Sequence, residues 1–474
     1  MYAYCLRRHV KKAAARSLPE LADIFSQWVD FAGLPDPDRR RRLFPVQVTF
    51  WLFLSQILGR CVSCSEVVKK AVAWSHFHNE PIPSTNTSAY CQARKRLPHE
   101  LISGISARVL AALPDKTERR WLWHGHQVKI VDATHISMDD TRANARCFGY
   151  PQGVRTGCGF PALKVLAVFS LQHGGLIGYL EARNRRSEQS LFRSLWKRVF
   201  DPGDVMLGDR FYCTYANTAR LSAHGVFLVV RQNASLSTSL HLGKRLGKND
   251  RLCEWRRHKM RTLGFSRAAW NNLPKSIALR QVRVRVAIPG MRTKNITILT
   301  TLLDHRRYPA ADIAELYYRR WQIELDFRDI KISMGMGYIA CKTPEMVRKQ
   351  LALHVVAYNL VRLLMLESST KHNTTLDRLS FKGALDSVHQ FAPLLACATN
   401  RRLAIRLHEG LLACIAHSLV IERPGRREPR AVKRRDVANQ PLNRRRRGFV
   451  EKSKRERYCK SERSPTLVTY YSGK

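Results

Sequence analysis

The chain has 474 residues, enough to bury about two or three hydrophobic cores, and its hydrophobic content of 45% excludes general disorder. Lys and Arg number 82 against 37 Asp and Glu, which gives a formal net charge of +45. Such an excess repels itself unless a polyanion neutralises it, so nucleic acid is the expected partner and an anionic membrane surface the weaker alternative.

The N-terminal part of the chain, residues 1–120, has helical apolar patterns. They predict helices at residues 21–31, 46–58, 65–74 and 85–97. Ser84 or Thr85 could cap the last of these, which ends in basic residues. The run 65–97 therefore resembles a helix-turn-helix unit, although this pattern is common by chance.

From residue 127 onward the pattern changes to short apolar strands that alternate with helices. Strands are predicted at 127–133, 163–171, 175–180, 204–208 and 226–230, and helices at 187–199 and 215–223. Residues 232–304 then favour a β-rich insertion with a cationic surface. Within it, residues 281–288 alternate basic and apolar side chains, as expected of a half-buried strand.

A long helix is predicted to begin at Pro309 and to end near Met334. Its buried stripe would consist of Leu316, Ile323, Phe327, Ile330 and Met334. On a regular helix, a neighbouring exposed wedge of ~60° contains Tyr317, Arg320, Glu324 and Lys331. Glu324 could hold a divalent metal while the other three grip a phosphate. The alternative is an ordinary solvated helix face with an Arg320–Glu324 charge pair.

The C-terminal part of the chain is first helical and then strongly basic. Further helices are predicted at 347–366, 375–395 and 403–418. After Pro424 the residues are mostly polar and basic, and Arg444 to Arg447 are consecutive, so we expect a disordered tail that binds a polyanion.

Two acidic residues stand at the ends of predicted strands. Asp132 ends the strand in VDAT, and Asp209 follows the strand DVMLG. Carboxylates at the ends of neighbouring strands can converge at one sheet edge, and with Glu324 they could cradle two Mg²⁺ ions ~3.5–4 Å apart. Taken singly, each aspartate could equally cap a turn.

Together these residues resemble the DDE transposases of bacterial insertion sequences. Asp132 in VDAT, Asp209 in GDRFY and the spacing Tyr317-x₂-Arg320-x₃-Glu324-x₆-Lys331 match the group with this Tyr-Arg-Glu-Lys signature over about residues 40–440. The resemblance implies that Asp132, Asp209 and Glu324 are the catalytic residues and bind two Mg²⁺ or Mn²⁺ ions. It also implies that Tyr317, Arg320 and Lys331 bind DNA.

The same resemblance implies a mixed α/β (α+β) fold with a ribonuclease-H-like catalytic core, interrupted by the β-rich insertion and flanked by helical regions. The expected division is a helical DNA-end-binding region at 1–120, the core at 121–231 and 305–370, the insertion at 232–304, a helical region at 371–422 and the basic tail at 423–474. The insertion of such enzymes helps to distort the transposon end during a hairpin step. Arg210 and Trp321, beside the catalytic acids, could contact DNA or serve packing.

The expected function is Mg²⁺-dependent cut-and-paste transposition. Double-stranded DNA, as transposon ends and target, would be the partner of a homodimer in a paired-end complex. No stretch approaches ~20 consecutive apolar residues, so we expect no membrane partner and a cytoplasmic, nucleoid-associated protein. The alternatives are a ribonuclease-H-like nuclease without strand transfer, and a non-catalytic DNA-binding regulator derived from a transposase.

Overall fold

The computed structural model describes residues 19–36, 42–77, 79, 82–115, 119–151, 159–233, 236, 243–260, 264–285 and 295–421, and the elements are numbered within these ranges. The α-helices are α1 Pro19–Phe25, α2 Val46–Leu58, α3 Cys64–Phe77, α4 Ser88–Arg96, α5 His99–Asp115, α6 Arg142–Phe148, α7 Glu188–Val199, α8 Tyr215–Ala223, α9 Arg267–Asn271, α10 Ala310–Tyr318, α11 Gln322–Arg328, α12 Pro344–His372, α13 Phe381–Ala396 and α14 Arg401–His417. The strands are β1 Val128–Met138, β2 Ala162–Ser170, β3 Leu176–Arg183, β4 Val205–Gly208, β5 Phe227–Arg231, β6 Gly243–Gly247, β7 Asp250–Arg256, β8 Ser276–Arg285, β9 Asn295–Thr300 and β10 Tyr338–Ile339. The predicted basic tail, 423–474, lies outside the described residues.

The described part of the N-terminal region is helical as predicted, but α5 was not among the predicted helices and two boundaries differ. The first helix ends at Phe25 rather than near residue 31, because the chain turns and packs the Phe31 ring against Phe50, with ring centroids 5.4 Å apart. The α4 helix begins after Thr87, so neither Ser84 nor Thr85 is its N-cap residue. Packing accompanies the first boundary, and local hydrogen bonds accompany the second: the N–H of Asn86 donates to Ser84 Oγ, and the N–H of Ser88 donates to Asn86 Oδ1.

A ten-stranded mixed sheet forms the centre of the molecule. Nine strands follow the order β3-β2-β1-β4-β5-β9-β8-β7-β6, and β10 pairs with the far end of β1. The first three strands are antiparallel neighbours, whereas β4 and β5 run parallel to β1. This arrangement is a mixed α/β fold consistent with the predicted ribonuclease-H-like core. The strands of the β-rich segment 232–304 extend the same sheet through β9.

Helices cover both faces of this sheet. One face packs on the largest hydrophobic core, at whose centre lies α12, a helix of 29 residues. The other face packs on α7 and α8. By length and composition alone α12 could cross a membrane, but its apolar part is almost entirely buried within the fold, as expected of a core helix. The two layers hold β1 and β4 rigidly in the middle of the molecule.

One side of β1 is left open along its middle. The pairing with β4 reaches only to Ile130, and the pairing with β10 begins at Ser137. Among the described residues, no strand pairs with this side of β1 between these two positions. Side chains and loops can therefore approach the strand from this side.

Candidate active site

Two of the predicted acids lie on, and directly after, neighbouring parallel strands. The prediction that the first strand ends at Asp132 is wrong, because pairing with β2 and β10 continues β1 to Met138. The β1–β4 pairing places Leu207 opposite Ile130. Asp132 lies two residues beyond Ile130 on β1, and Asp209 lies two residues beyond Leu207, directly after β4. The register of the strands therefore brings both carboxylates to the same level of the sheet.

Backbone hydrogen bonds hold both carboxylates in place. The backbone N–H of Ala133 donates to Asp132 Oδ1 over 2.8 Å. The backbone N–H of Phe211 donates to Asp209 Oδ1 over 2.8 Å. Each aspartate has a second oxygen that these two bonds leave for another ligand.

Negative charge accumulates around Asp132. Burial raises the pKa of Asp132 to about 6, and the negative charges of Asp209 and Glu188 act in the same direction. The N–H of Ala133 and the positive charge of Arg320 oppose this rise in pKa without cancelling it. A bound cation would stabilise the ionised carboxylates, since it would offset both their burial and their mutual repulsion.

Glu324 belongs to a different ion pair in this structure. It projects from α11, its side chain is 40% exposed, and its Oε1 accepts a hydrogen bond from Arg320 Nη2 over 3.2 Å. In the described part of the chain, no three His, Cys, Asp or Glu side chains are grouped so as to hold a metal ion. The structure thus brings Asp132 and Asp209 together and connects Glu324 to them through Arg320, whose charge also acts on Asp132.

The predicted phosphate-binding residues are divided between the surface and the interior. Lys331 Nζ donates to Thr134 Oγ1 on β1 over 3.1 Å, and burial lowers its pKa. Tyr317 is only 8% exposed, and burial raises the pKa of its hydroxyl. The prediction of four side chains in one exposed wedge is therefore wrong for Tyr317, which is buried and whose hydroxyl interacts with Arg320.

The physical reason is the winding of the helical stretch. It is not one regular helix, because α10 passes into a 3₁₀ turn at Arg319–Trp321, then into α11, then into a π-helical turn at Asp329–Ser333. Each change of winding rotates the residues that follow, so a constant ~100° per residue misplaces them. All five residues of the predicted apolar stripe are nevertheless buried: Leu316, Ile323, Phe327, Ile330 and Met334.

The sequence patterns did not single out Glu188 and Lys164, which also lie near the two aspartates. Glu188 begins α7, its charge acts on Asp132, and burial raises its own pKa. Lys164 Nζ lies 3.9 Å from Glu188 Oε1. The only signal in the sequence was a Ser187–Glu188 pair that is typical of an ordinary helix start, with Ser187 as the N-cap residue.

Three further side chains near the acids face solvent. Trp321 is 49% exposed and follows Arg320, and Phe211 is also exposed, two residues after Asp209. Arg210, which lies between Asp209 and Phe211 in the sequence, is exposed as well. Of the two roles considered for Arg210 and Trp321, packing is therefore the less favoured.

Comparisons with known proteins agree with this fold. The transposase DDE domain family matches residues 123–360, half of the chain. The chain is 24% identical over 404 residues to the Escherichia coli (strain K12) protein "Transposase InsG for insertion sequence element IS4", an alignment that covers 84% of this chain and 87% of the relative. It is 22% identical over 312 residues to the Geobacillus stearothermophilus protein "Probable transposase for insertion sequence element IS5377", covering 63% of this chain and 73% of the relative. The chain belongs to the transposase DDE domain family.

Proposed function

We propose that this protein catalyses cut-and-paste transposition of an insertion sequence, by divalent-metal-dependent cleavage at terminal inverted repeats followed by strand transfer. Its substrates are double-stranded DNA at the transposon ends and at the target. The single observation that carries the proposal is the placement of Asp132, within β1, at the same level of the sheet as Asp209, directly after β4, with Arg320 and Lys331 next to them.

The side chains fit a site for Mg²⁺ or Mn²⁺. Carboxylate oxygens are the ligands that both ions prefer, and the raised pKa of Asp132 reflects negative charge that a cation would offset. Asp132, Asp209 and Glu324 are the residues that would hold two such ions. When bound, the ions supply a hydroxide nucleophile at neutral pH and stabilise the charge of the leaving oxygen.

The cations of the site have a separate role, which is to position the DNA backbone. Arg320 and Lys331 each place a positive charge near the two aspartates, where they can bind the phosphates on either side of the scissile bond. Tyr317, whose hydroxyl interacts with Arg320, would orient that guanidinium. Once Arg320 turns toward a phosphate, Glu324 is released from its ion pair and can join the aspartates.

The remaining regions receive roles by the same proposal. We assign residues 1–120 to binding of the transposon end. Residues 121–231 and 305–370 would form the catalytic core, and residues 232–304 the insertion. Residues 371–422 form the helical C-terminal region, and 423–474 contribute basic charge. The active form would be a homodimer that holds paired ends, in the cytoplasm and associated with the nucleoid.

The test is cleavage of a duplex that carries the terminal inverted repeat found beside the gene. We expect Asp132→Asn, Asp209→Asn and Glu324→Gln each to lower the rate of Mg²⁺-dependent cleavage by roughly 10²-fold or more, the effect of losing several kcal/mol of charge stabilisation. Binding to the same duplex, measured by gel shift, should change little.

Asp312→Asn provides a matched control, because Asp312 is also an acid in an ion pair but bonds His124, away from the two aspartates. Its cleavage rate should stay near that of the wild type. Full activity in any of the three test variants would remove that residue from the mechanism. Cleavage without joining of the 3′ end to a target would favour the nuclease alternative, and binding without cleavage would favour the regulator.

A further inference from the structure

An arginine-rich cleft lies beside the candidate active site and has no role in the mechanism above. Its volume is about 570 Å³, and the guanidinium groups of Arg183, Arg185, Arg186 and Arg348 line it together with Glu181. We call this group of residues the arginine cleft. It is formed where β3 ends and the chain turns toward α7.

Most of the positive charge in the arginine cleft is not neutralised by the protein. Arg348 Nε is 2.7 Å from Glu181 Oε1, so this arginine and the acid of the cleft cancel each other. Arg183, Arg185 and Arg186 are exposed, and within the described ranges none of them forms an ion pair with a carboxylate. Three cations within four residues repel one another, and an anionic ligand would relieve that repulsion.

The arginine cleft lies on the same side of the sheet as the catalytic aspartates. Arg183 pairs with Leu163, which pairs with Ile136 on β1, so Arg183 shares a sheet face with Asp132, four residues before Ile136. At ~4.8 Å between strands and ~3.3 Å per residue, the backbones of Arg183 and Asp132 lie roughly 16 Å apart. The rise of duplex DNA is ~3.4 Å per nucleotide on each strand, so this separation spans about four to five nucleotides.

A chain of contacts also connects the two places. Lys164 Nζ donates to the backbone carbonyl of Arg186 over 3.0 Å and lies 3.9 Å from Glu188 Oε1. The charge of Glu188 acts in turn on Asp132. Lys164 and Glu188 thus link the turn that carries Arg186 to the surroundings of Asp132.

We propose that the arginine cleft binds backbone phosphates of the DNA duplex that is cut, about four to five nucleotides from the scissile phosphate. This inference rests on the proposed function of the site. Guanidinium groups suit the task because they bind phosphate oxygens in a bidentate way and stay charged at every physiological pH. The interaction is independent of base sequence and sets the register of the duplex over the catalytic residues.

The first test measures DNA affinity against salt concentration, with a fluorescein-labelled duplex of arbitrary sequence as the probe. We compare the wild type with the triple variant R183Q/R185Q/R186Q, both in the full chain and both carrying Asp209→Asn so that no cleavage interferes. The slope of log affinity against log salt should become shallower by about 0.9 for each phosphate that the variant no longer neutralises, or up to ~2.7 in total. An unchanged slope would overturn the proposal.

The matched control is R401Q/R402Q/R406Q, which removes the same charge from exposed arginines of α14. Its slope should change by less than that of the cleft variant, and thermal unfolding should show that both variants are folded. A slope that changes equally in both would mean that net charge alone is responsible, and the arginine cleft would have no specific role.

The second test locates the bound phosphates. Single methylphosphonate groups, which lack the phosphate charge, are placed along a duplex carrying the terminal repeat, on both sides of the mapped cleavage point. The groups about four to five nucleotides from the cut should weaken binding by the wild type but cause no further loss of affinity in the cleft variant. Equal losses of affinity in both proteins at every position, or an effect confined to a separate target duplex, would overturn the proposal. Binding is the readout of both tests. Absence of cleavage by the wild type would therefore refute the proposed function, but it would not decide whether the arginine cleft binds DNA phosphates.

Discussion

At the scale of single residues, the candidate active site is a balance of a few opposite charges. The negative charge of Asp209 raises the cost of ionising Asp132, and Glu188 adds a further negative charge to the field at Asp132. Lys164, 3.9 Å from Glu188, and Arg320 supply the compensating positive charge. In the proposed mechanism, Glu188 would therefore contribute to the attraction of a divalent cation without touching it.

We expect Glu188→Gln to slow cleavage at low metal concentrations. Removing this negative charge should raise the Mg²⁺ concentration needed for half-maximal cleavage by roughly 10-fold, the usual effect of changing a neighbour of the metal ligands, while the rate at saturating Mg²⁺ stays near the wild-type rate. The measurement is the cleavage rate over a Mg²⁺ titration.

Lys164→Met is the control of opposite sign for this prediction. It removes a positive charge from the same ion pair, so the half-saturating Mg²⁺ concentration should fall or stay constant. If both variants raise that concentration equally, the effect comes from a disturbed structure and the electrostatic role of Glu188 is wrong.

At the scale of elements, the position of the short helix α11 depends on the long helix α12. Asp326 on α11 and Arg362 on α12 form an almost fully buried ion pair, with Asp326 Oδ1 2.6 Å from Arg362 Nη2. Burial raises the pKa of Asp326 to about 6 in spite of this neighbour. Arg362 also donates to the hydroxyl of Tyr358 over 2.9 Å. The pair fixes the helix that carries Glu324 against the core.

We expect Arg362→Met to destabilise the protein by about 3–5 kcal/mol, because it leaves the buried carboxylate of Asp326 without its cationic partner, although the hydrogen bond from Gln322 remains. The double variant R362M/D326N should recover a large part of that stability, since no charge then remains in the interior. Urea unfolding of the three proteins measures the difference.

The surface pair Arg319–Asp377 serves as the comparison, with its atoms 3.9 Å apart and both side chains exposed. Arg319→Met should cost no more than about 1 kcal/mol. A double variant that is less stable than R362M would contradict the explanation based on an unpaired buried charge.

The same helical stretch illustrates how far the sequence could be interpreted. Its apolar stripe was predicted correctly, because hydrophobic spacing records which side of a helix faces a core. The predicted exposure of Tyr317 was wrong, because the 3₁₀ turn at Arg319–Trp321 and the π turn at Asp329–Ser333 change the winding of the helical stretch. Long-range hydrogen bonds accompany these turns, such as the Lys331–Thr134 bond across 197 residues of sequence, and periodicity cannot encode them.

The packing of elements around the sheet accounts for the other differences between the predicted and the observed site. Strand patterns predicted that Asp132 and Asp209 would converge, and the parallel register of β1 and β4 brings them to one level of the sheet. They did not predict that β1 continues beyond Asp132 to Met138. They did not reveal Glu188, whose proximity to these aspartates depends on how α7 packs across the sheet. They also did not reveal the arginine cleft, which requires β3, α6 and α12 to meet.

At the scale of the whole molecule, positive charge is spread far beyond the active site. The formal net charge is +45, and the basic segment 423–474, which lies outside the described residues, is one of its richest parts. Nonspecific affinity for DNA comes mainly from neutralised phosphates and the counterions that they release. Cleavage, in contrast, depends on the few residues around β1 and β4. Changes in the basic segment should therefore affect these two properties very differently.

We expect the quadruple variant R444Q/R445Q/R446Q/R447Q to weaken binding to duplexes of arbitrary sequence and to make the dependence of affinity on salt shallower. If all four side chains neutralise phosphates, the slope should fall by up to ~3.6. The cleavage rate on a saturating concentration of terminal-repeat duplex should remain near the wild-type rate, because none of the four belongs to the proposed catalytic set. Fluorescence anisotropy between ~50 and ~200 mM salt gives the slope. An unchanged slope would mean that the basic segment does not touch DNA, and an abolished cleavage rate at saturation would assign it a part in the chemistry.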